Sequence, residues 1–255
     1  MTPSSGSDGR LSFQVFTGQD FALANNAVLI AGQQEAVLID TCLVLSDAAR
    51  LVAMVRASGK TLKAVYITHA HPDHYFGNGT VQEAFPAARF FARPGVIDFM
   101  QEYRAKIVHW REMYADEMPR SIPMPEPLAG KHALLEGQEI RFVDLPVCET
   151  VHATAFYVPS EKAIIAGDLV YSGMHHYIAD TNHPDSWIDA LNVVRRLGPI
   201  ERVFPGHGPV GGPELLDASE KWLNDYRDVA RPGVRFVDVA GAKEIGVPPA
   251  LLGGS

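Results

Sequence analysis

The stretch Thr68-His69-Ala70-His71-Pro72-Asp73-His74 decides how this sequence is interpreted. It directly follows the apolar run Ala64-Val65-Tyr66-Ile67, which predicts a buried strand that ends at the edge of a sheet. Three imidazoles and one carboxylate would then project from one short loop. Both groups suit Zn²⁺ and related metals. Four candidate ligands are more than one site with an open position needs, so the spacing predicts two adjacent metal ions.

The motif resembles that of a known family, the metallo-β-lactamase superfamily, which has His-x-His-x-Asp-His at the end of a strand. Three further segments are similar to the family and occur in its order: Leu38-Ile39-Asp40-Thr41, Ala166-Gly167-Asp168 and Phe204-Pro205-Gly206-His207-Gly208. The resemblance extends from about Phe13 to Val229. It implies an α/β fold, a four-layer αβ/βα sandwich, and metal-dependent hydrolysis, while leaving the substrate open.

Length and composition fit one enzyme-sized domain. The chain has 255 residues, of which 47% are hydrophobic, enough to form a full core. We predict a single domain over residues 13–230, a flexible N-terminal tail over 1–12, and a C-terminal tail on the surface over 231–255.

Charge and hydropathy limit the class of partner. The net charge is −8 and no run of Lys or Arg offsets it, which disfavours nucleic acid. No apolar run approaches the length of a membrane span, and the first ten residues lack the apolar core of a secretory leader. We therefore expect a cytoplasmic protein that acts on a small-molecule substrate, without a membrane partner; a homodimer remains open.

The pattern along the chain predicts strands and helices in both halves. The predicted strands cover residues 27–30, 36–39, 64–68, 89–92, 140–145, 155–158, 163–166 and 202–204. The predicted helices cover residues 46–58, 94–118, 186–197 and 215–229. Strands in both halves with helices between them favour two sheets face to face with helices outside, in agreement with the sandwich. Segment 113–128, rich in Met and Pro, predicts an irregular cover over the pocket.

The resemblance also implies a ligand set for two metal ions. By residue-for-residue match, His69 and His71 would hold the first metal. The second would be held by the remaining motif residues and a histidine from the last segment: Asp73, His74 and His207. Asp168 follows a predicted strand, where its carboxylate would bridge both ions.

The third ligand of the first metal is where the sequence departs from the family. The family has Pro-Gly-His-Thr, whereas this chain has Pro146-Val147-Cys148-Glu149-Thr150-Val151-His152. His152 has the expected residue type, and Glu149 has the expected position, 10 residues before Pro159 and 19 before Asp168. The loop is also similar to that of the zinc alkylsulfatase branch, in which a glutamate replaces the histidine. We favour Glu149 as the ligand and place His152 in the substrate pocket.

Three residues near Asp168 are candidates for contact with the substrate. His175 and His176 occupy a His-rich segment placed similarly to one in the alkylsulfatase branch. Tyr171 has the spacing from Asp168 of a tyrosine that points at the substrate carbonyl in the lactonase branch. A polar loop and a core aromatic, respectively, are the alternative interpretations.

The predicted mechanism is hydrolysis by a metal-bridging hydroxide. Two Zn²⁺ ions, or iron or manganese, would lower the pKa of a shared water. Asp73 would orient the hydroxide and carry its proton to the leaving group, and Tyr171 or a nearby histidine would stabilise the oxyanion. An ester or lactone substrate is favoured, with a β-lactam also open.

Rival functions differ in what they require. An alkylsulfatase-like sulfate-ester hydrolase is supported by Glu149 and the segment His175-His176, although the chain has no extra domain to enclose an alkyl chain. An iron-dependent persulfide oxygenase is a redox alternative. A flavodiiron protein would need a flavin domain for which no sequence remains, and a non-catalytic module is disfavoured because every ligand position is filled.

Overall fold

Two mixed β-sheets pack face to face, with helices on both outer surfaces, in the computed structural model, which describes residues 9–105 and 107–229. Within these residues the first sheet has six strands whose spatial order follows the chain. They are β1 (Ser12–Thr17), β2 (Asn26–Ala31), β3 (Glu35–Ile39), β4 (Thr61–Tyr66), β5 (Arg89–Ala92) and β6 (Glu126–Pro127). β1 to β3 are antiparallel, and β3 to β6 are parallel.

The second sheet of the described chain has five strands. They are β7 (His132–Leu135), β8 (Gln138–Asp144), β9 (Thr154–Val158), β10 (Ala163–Tyr171) and β11 (Arg202–His207), in the spatial order β11-β10-β9-β8-β7. β7 to β10 are antiparallel, whereas β10 and β11 are parallel and therefore end at the same edge.

Helices cover the outer faces of both sheets. They are α1 (Leu45–Ala57), α2 (Pro72–Tyr75), α3 (Asn78–Ala84), α4 (Pro94–Ala105), α5 (Ile107–Tyr114), α6 (Pro184–Arg195) and α7 (Glu214–Val229). Leu51 and Val55 of α1 pack on the first sheet, and Trp187 of α6 and Leu223 of α7 pack on the second. No helix in the described ranges is long and apolar enough to cross a membrane.

A core between the two sheets forms the centre of the sandwich. Ile30 and Ile39 of the first sheet meet Phe142, Phe156 and Phe204 of the second there. The alternate residues of the same strands face the helices, so these strands are buried on both faces and read as continuous apolar runs. The predicted four-layer α/β sandwich is therefore confirmed.

The structure differs from the predicted elements in several places; the short helices α2 and α3, for example, were not predicted. The helix predicted over 94–118 is helical on both sides of the undescribed Lys106, as α4 and α5, but it ends at Tyr114 and is followed by a short 3-10 turn at Ala115–Glu117. β1, β6 and β7 were not predicted. All three are at or near sheet edges and short or half-exposed, so their sequences lack a strong apolar run.

The first strand begins slightly before the end of the predicted N-terminal tail, residues 1–12. β1 begins at Ser12, and the buried Leu11 donates its backbone N–H to Oε1 of Glu161 at 3.0 Å. Residues 1–8 of the predicted N-terminal tail and the whole predicted C-terminal tail lie outside the described residues.

Candidate metal centre

The histidine motif forms the connection between β4 and α2. His71 is the N-cap of α2, and Pro72 takes the first helical position, where a fixed φ and a missing N–H cost nothing. This start of a helix turns the chain sharply, so Asp73 and His74 face the same space as His69 and His71. All four side chains are buried.

The motif is held by Asp40, at the end of β3. Asp40 adopts φ 61°, in the left-handed region, and its carboxylate accepts hydrogen bonds from the Thr68 backbone N–H and hydroxyl, both at 2.7 Å. Oδ2 of Asp40 also accepts from Nδ1 of His74 at 2.8 Å. One buried carboxylate therefore fixes both the start and the end of the motif.

One group of candidate ligands brings together residues from both sheets. The ligand atoms of His69, His71, Glu149 and Asp168 all lie within 4.8 Å of one another, and all four residues are buried. Nδ1 of His71 is 2.7 Å from Oε1 of Glu149 and 3.1 Å from Nε2 of His69. The loop between β8 and β9 thus places Glu149 beside the first two histidines of the motif.

A second group lies next to the first. It contains Asp73, His74 and His207, whose ligand atoms also fall within 4.8 Å of one another. Asp168 lies between the groups: its Oδ1 is 3.2 Å from Nε2 of His74, and its Oδ2 is 3.3 Å from Nε2 of His207 and 4.0 Å from Nε2 of His69. Two adjacent groups that share one carboxylate are what a dinuclear site requires.

The donor atoms fit metal ions better than they fit one another. Oε2 of Glu149, Oδ1 of Asp168 and Nε2 of His74 are buried and make no hydrogen bond within the described chain, although the last two lie 3.2 Å apart. Buried polar atoms are normally paired, because an unpaired one costs about 1–3 kcal/mol. Three converging imidazole and carboxylate atoms that lack hydrogen bonds suit a metal ion such as Zn²⁺, Fe²⁺ or Mn²⁺.

The electrostatics of the site also favour a cation. Burial lowers the pKa of His207, but the Asp168 and Asp73 carboxylates outweigh it and raise the pKa to about 10. Burial also lowers the pKa of His74, but the nearby carboxylates, Asp73 most strongly, raise it well above its usual range. The buried carboxylates therefore create a negative potential, which favours protonated imidazoles and equally favours divalent ions.

Each candidate histidine ligand presents one ring nitrogen to the site and has the other fixed. Nδ1 of His69 contacts Oγ1 of Thr68 at 2.9 Å, and Nδ1 of His207 donates to the Leu23 carbonyl at 2.8 Å. Nε2 of His71 donates to Oδ2 of Asp180 at 2.8 Å. With the His74–Asp40 bond, every ring has a fixed orientation and a defined inward nitrogen.

The hydroxyl of Tyr171 is bonded to Asp168. Tyr171 donates to Oδ2 of Asp168 at 2.5 Å, and its ring stacks on His207 with centroids 5.3 Å apart. Burial and the adjacent Asp168 carboxylate raise the pKa of Tyr171 well above its usual value, so the hydroxyl stays protonated. One hydroxyl hydrogen cannot serve Asp168 and a substrate oxyanion at once.

His152 lies outside both groups. It is exposed, its ring packs edge-on against Phe99 at 5.4 Å, and a Cβ built at Gly95 would lie 2.8 Å from it. The ring lines a surface cavity together with Arg93 and Asp144.

His175 and His176 lie on the loop that follows β10. His175 is exposed, and its Nδ1 accepts a hydrogen bond from Nε1 of Trp222 at 3.0 Å. His176 is buried between Tyr171 and Trp222, with ring centroids 5.0 and 4.6 Å away, and neither of its nitrogens has a hydrogen-bond partner among the described residues. Burial lowers the pKa of His176 to about 3, so its ring is neutral.

Two residues that support the site were not among the predicted site residues. Asp40 stands in a segment with an evident sequence signal, the end of the strand before the motif. Asp180 has no such signal, because it is on a loop and 109 residues from His71 in sequence.

The chain matches a family model described as Metallo-beta-lactamase superfamily over residues 21–207. It is 24% identical over 213 residues to metallo-beta-lactamase type 2 of Bacteroides fragilis, covering 79% of this chain and 76% of that protein. It is 26% identical over 212 residues to hydroxyacylglutathione hydrolase of Rhodopseudomonas palustris (strain BisA53), covering 81% and 71%.

Solved structures share the fold. The metallo-beta-lactamase DIM-1 matches with a TM-score of 0.66 and 18% identity, covering 87% of this chain and 95% of that one. A metallo-beta-lactamase from Pontibacter korlensis matches with a TM-score of 0.64 and 20% identity, covering 84% and 93%.

Proposed function

The chain belongs to the metallo-β-lactamase superfamily and is a metal-dependent hydrolase, and we propose that it uses two zinc ions to hydrolyse a neutral small-molecule ester or lactone. The observation that carries the proposal is the position of Asp168 between two buried groups of imidazole and carboxylate donors. In the proposed assignment, His69, His71 and Glu149 would hold the first ion, Asp73, His74 and His207 would hold the second, and Asp168 would be available to both.

The ions would supply Lewis acidity and a bound water of lowered pKa. The protein supplies a proton acceptor in Asp73. Both ion-pair contacts of its carboxylate, to His74 and His207 at 3.3 Å, involve Oδ2. Oδ1 is therefore the atom we assign to hold the proton of the nucleophile and pass it to the leaving group.

Tyr171 is proposed to act through Asp168. Its hydroxyl fixes one oxygen of the shared carboxylate, which holds this carboxylate in its position between the two groups. A role as donor to the oxyanion would require that the bond to Asp168 break during the reaction.

The charge around the site supports a neutral substrate. In the described structure, the ion pairs of Asp73, Glu149 and Asp168 run to histidines, and none of the three carboxylates is paired with Lys or Arg. A substrate carboxylate, as in a β-lactam antibiotic, would find no cationic side chain among these contacts. An uncharged ester or lactone avoids that cost.

Apolar side chains beside the second group support a substrate with an apolar portion. Phe21 is 54% exposed on the loop between β1 and β2, two residues before the Leu23 carbonyl that binds His207. Its ring lies 6.4 Å from that of Tyr114, which stacks on Trp110 at 6.0 Å. Burial and the charge of Asp73 raise the pKa of Tyr114, consistent with the start of the predicted cover segment lying on the metal side.

A sulfate-ester substrate is the second candidate. It is favoured by Glu149, which lies in the first group where the family has a histidine, as in the alkylsulfatase branch that the sequence resembles. An additional carboxylate in the ligand set lowers the positive charge of the site. A sulfate-ester hydrolase would have to offset this lost charge by a different preference for the metal or for the substrate.

One substrate panel separates these functions. Zinc-loaded protein is assayed anaerobically with a neutral lactone, an aryl ester, a thioester, a cephalosporin and an alkyl sulfate, before and after removal of the metal with a chelator. We expect the lactone or ester to be turned over fastest, chelator to abolish turnover, and zinc to restore it. Fastest turnover of the alkyl sulfate would establish the second candidate. In a separate aerobic assay of iron-loaded protein, oxygen consumption with a persulfide would overturn hydrolysis.

A further inference from the structure

The loop between β10 and α6, residues 172–183, approaches the first candidate metal group through Asp180. Oδ2 of Asp180 accepts a hydrogen bond from Nε2 of His71 at 2.8 Å. Nδ1 is therefore the ring nitrogen of His71 that is directed at the group, 3.1 Å from Nε2 of His69 and 2.7 Å from Oε1 of Glu149. The carboxylate of Asp180 determines which nitrogen of His71 can bind an ion.

Asp180 is itself held in place from two sides. Its Oδ1 accepts a hydrogen bond from the Tyr177 hydroxyl at 3.1 Å, and the Tyr177 ring meets the His71 ring edge-on at 5.8 Å. The next residue, Thr181, donates its hydroxyl hydrogen to the Cys148 carbonyl at 2.5 Å. The same short stretch of loop is therefore bonded to one member of the first group, His71, and to the residue that precedes another, Glu149.

This arrangement differs from that of the other three candidate histidine ligands. Their outer nitrogens are fixed by Thr68, Asp40 and the Leu23 carbonyl, all of which precede the motif or belong to it. Among the three histidines of the motif, only His71 is fixed from the opposite half of the chain. The exposed fraction of the side chains rises from 11% at His71 to 29% at Asp180, so this support lies at the edge of the site and faces solvent.

We propose that Asp180 is a positioning residue of the first metal site, which directs Nδ1 of His71 to the ion and increases its basicity, while Tyr177 orients Asp180. The inference rests on the proposed function, because it assigns His71 as a ligand. A carboxylate that accepts a hydrogen bond from a histidine ligand fixes the ring and strengthens it as a donor, and its removal typically weakens metal binding by about 10- to 100-fold.

The test measures metal affinity, not turnover. Metal-free full-length protein is titrated with Zn²⁺ against a chromophoric chelator, and with Co²⁺ to follow the absorption bands of the bound ion. Glu149→Ala identifies the binding event that belongs to the first group. We expect Asp180→Ala to weaken that event by about 10- to 100-fold and leave the other unchanged.

Three further variants distinguish positioning from a general structural effect. Asp180→Asn keeps an oxygen that accepts from His71 but lacks the negative charge, so it should recover part of the affinity. Tyr177→Phe removes only the hydroxyl and should weaken the same event by a few-fold, which also provides the test if Asp180→Ala does not fold. Asp185→Asn removes a nearby exposed carboxylate that pairs with Arg227, and should change neither event.

Wild-type affinity at both events in Asp180→Ala would overturn the proposal, and so would equal weakening of both events with no recovery in Asp180→Asn. For a variant set in which Asp180→Ala is unfolded, wild-type binding by Tyr177→Phe would overturn it. Because binding is measured without substrate, the result is independent of whether an ester or lactone proves to be hydrolysed.

Discussion

Oε1 of Glu149 lies 2.7 Å from Nδ1 of His71, so the first group combines a carboxylate with two histidines of the sequence motif. The first prediction follows from this contact. Glu149→Ala should lose one of two bound ions, because the first group would keep two imidazoles and the shared Asp168. His152→Ala, the matched control, should retain both ions, since His152 lies outside both groups.

Metal content after dialysis against zinc, measured by plasma emission spectrometry, tests this assignment. Retention of two ions by Glu149→Ala and loss of one by His152→Ala would assign the ligand to His152 instead.

The second prediction concerns Gly206, which follows Pro205 in β11. A Cβ at this position would lie 1.8 Å from Oδ1 of Asp168 and 2.8 Å from the backbone carbon of Gly167. Gly206→Ala should therefore displace the shared carboxylate and reduce turnover by more than about 100-fold, through loss of metal-assisted stabilisation. Turnover and zinc content are the measurements. Gly9→Ala is the control, because its Cβ would meet only Gln138 at 3.8 Å; equal activity of the two variants would contradict the prediction.

The third prediction concerns stability. Asp40→Ala removes the acceptor of hydrogen bonds from the Thr68 backbone N–H, the Thr68 hydroxyl and Nδ1 of His74, all buried. Because buried donors would be left without partners, the free energy of unfolding should fall by about 3–5 kcal/mol. Urea unfolding of the metal-free protein measures it. The exposed Asp116→Ala should change stability by less than about 0.5 kcal/mol, and a similarly small change in Asp40→Ala would show that the motif is held by other contacts.

The fourth prediction is a pH dependence that arises from His176. Its pKa is lowered from 6.5 to about 3 by burial, so its ring stays neutral in the folded chain while it becomes protonated in the unfolded chain below pH 6.5. Between pH 6.5 and 3 the unfolded state binds more protons at His176, so the contribution of this residue to stability falls as pH decreases. At pH 5 the loss is about 2 kcal/mol relative to pH 7, at about 1.4 kcal/mol per pKa unit.

His176→Phe keeps a ring in the stack and removes the titration. Urea unfolding of metal-free wild-type and variant proteins at pH 7 and pH 5 isolates the contribution. We expect the variant to lose about 2 kcal/mol less than the wild type over this interval, and identical losses would refute the assignment.

The fifth prediction concerns substrate binding. Phe21→Ala should raise KM for esters with an apolar group by about 10-fold and leave kcat nearly unchanged, because the ring would contribute binding without contact to the reacting atoms. Steady-state kinetics with a short and a long acyl ester measure the effect. Leu134→Ala, on the 65% exposed side chain of β7, is the control. A Phe21→Ala variant with unchanged KM for both esters would place the apolar portion elsewhere.

The parts of the site that could be predicted are those determined by local sequence. His69, His71, Asp73 and His74 fall within one loop, and Asp168 and His207 lie at or just before the ends of strands that the apolar pattern reveals. The sequence favoured Glu149 over His152 by its position alone, because both lie on an irregular loop whose conformation the local pattern does not determine. The structure brings Glu149 into the first group and packs His152 against α4.

Other features depend on contacts that no local pattern encodes. Asp180 meets His71 across 109 residues, and the aspartate by itself resembles any polar loop residue. β1, β6 and β7 owe their strand conformation to pairing with a neighbour, not to strong apolar runs of their own.

The candidate ligands are divided between the two halves of the sandwich. The motif follows β4 of the first sheet, whereas Glu149, Asp168 and His207 belong to the second sheet or its connections. Each ion would therefore act as a cross-link between the sheets at this edge, so that loss of metal loosens the sandwich from one side. Amide hydrogen exchange should then accelerate first at the carboxyl ends of β4 and β11 on chelation, while the inter-sheet core around Phe142 and Phe156 stays protected. The supply of metal would therefore determine the stability of the folded chain as well as its rate of turnover.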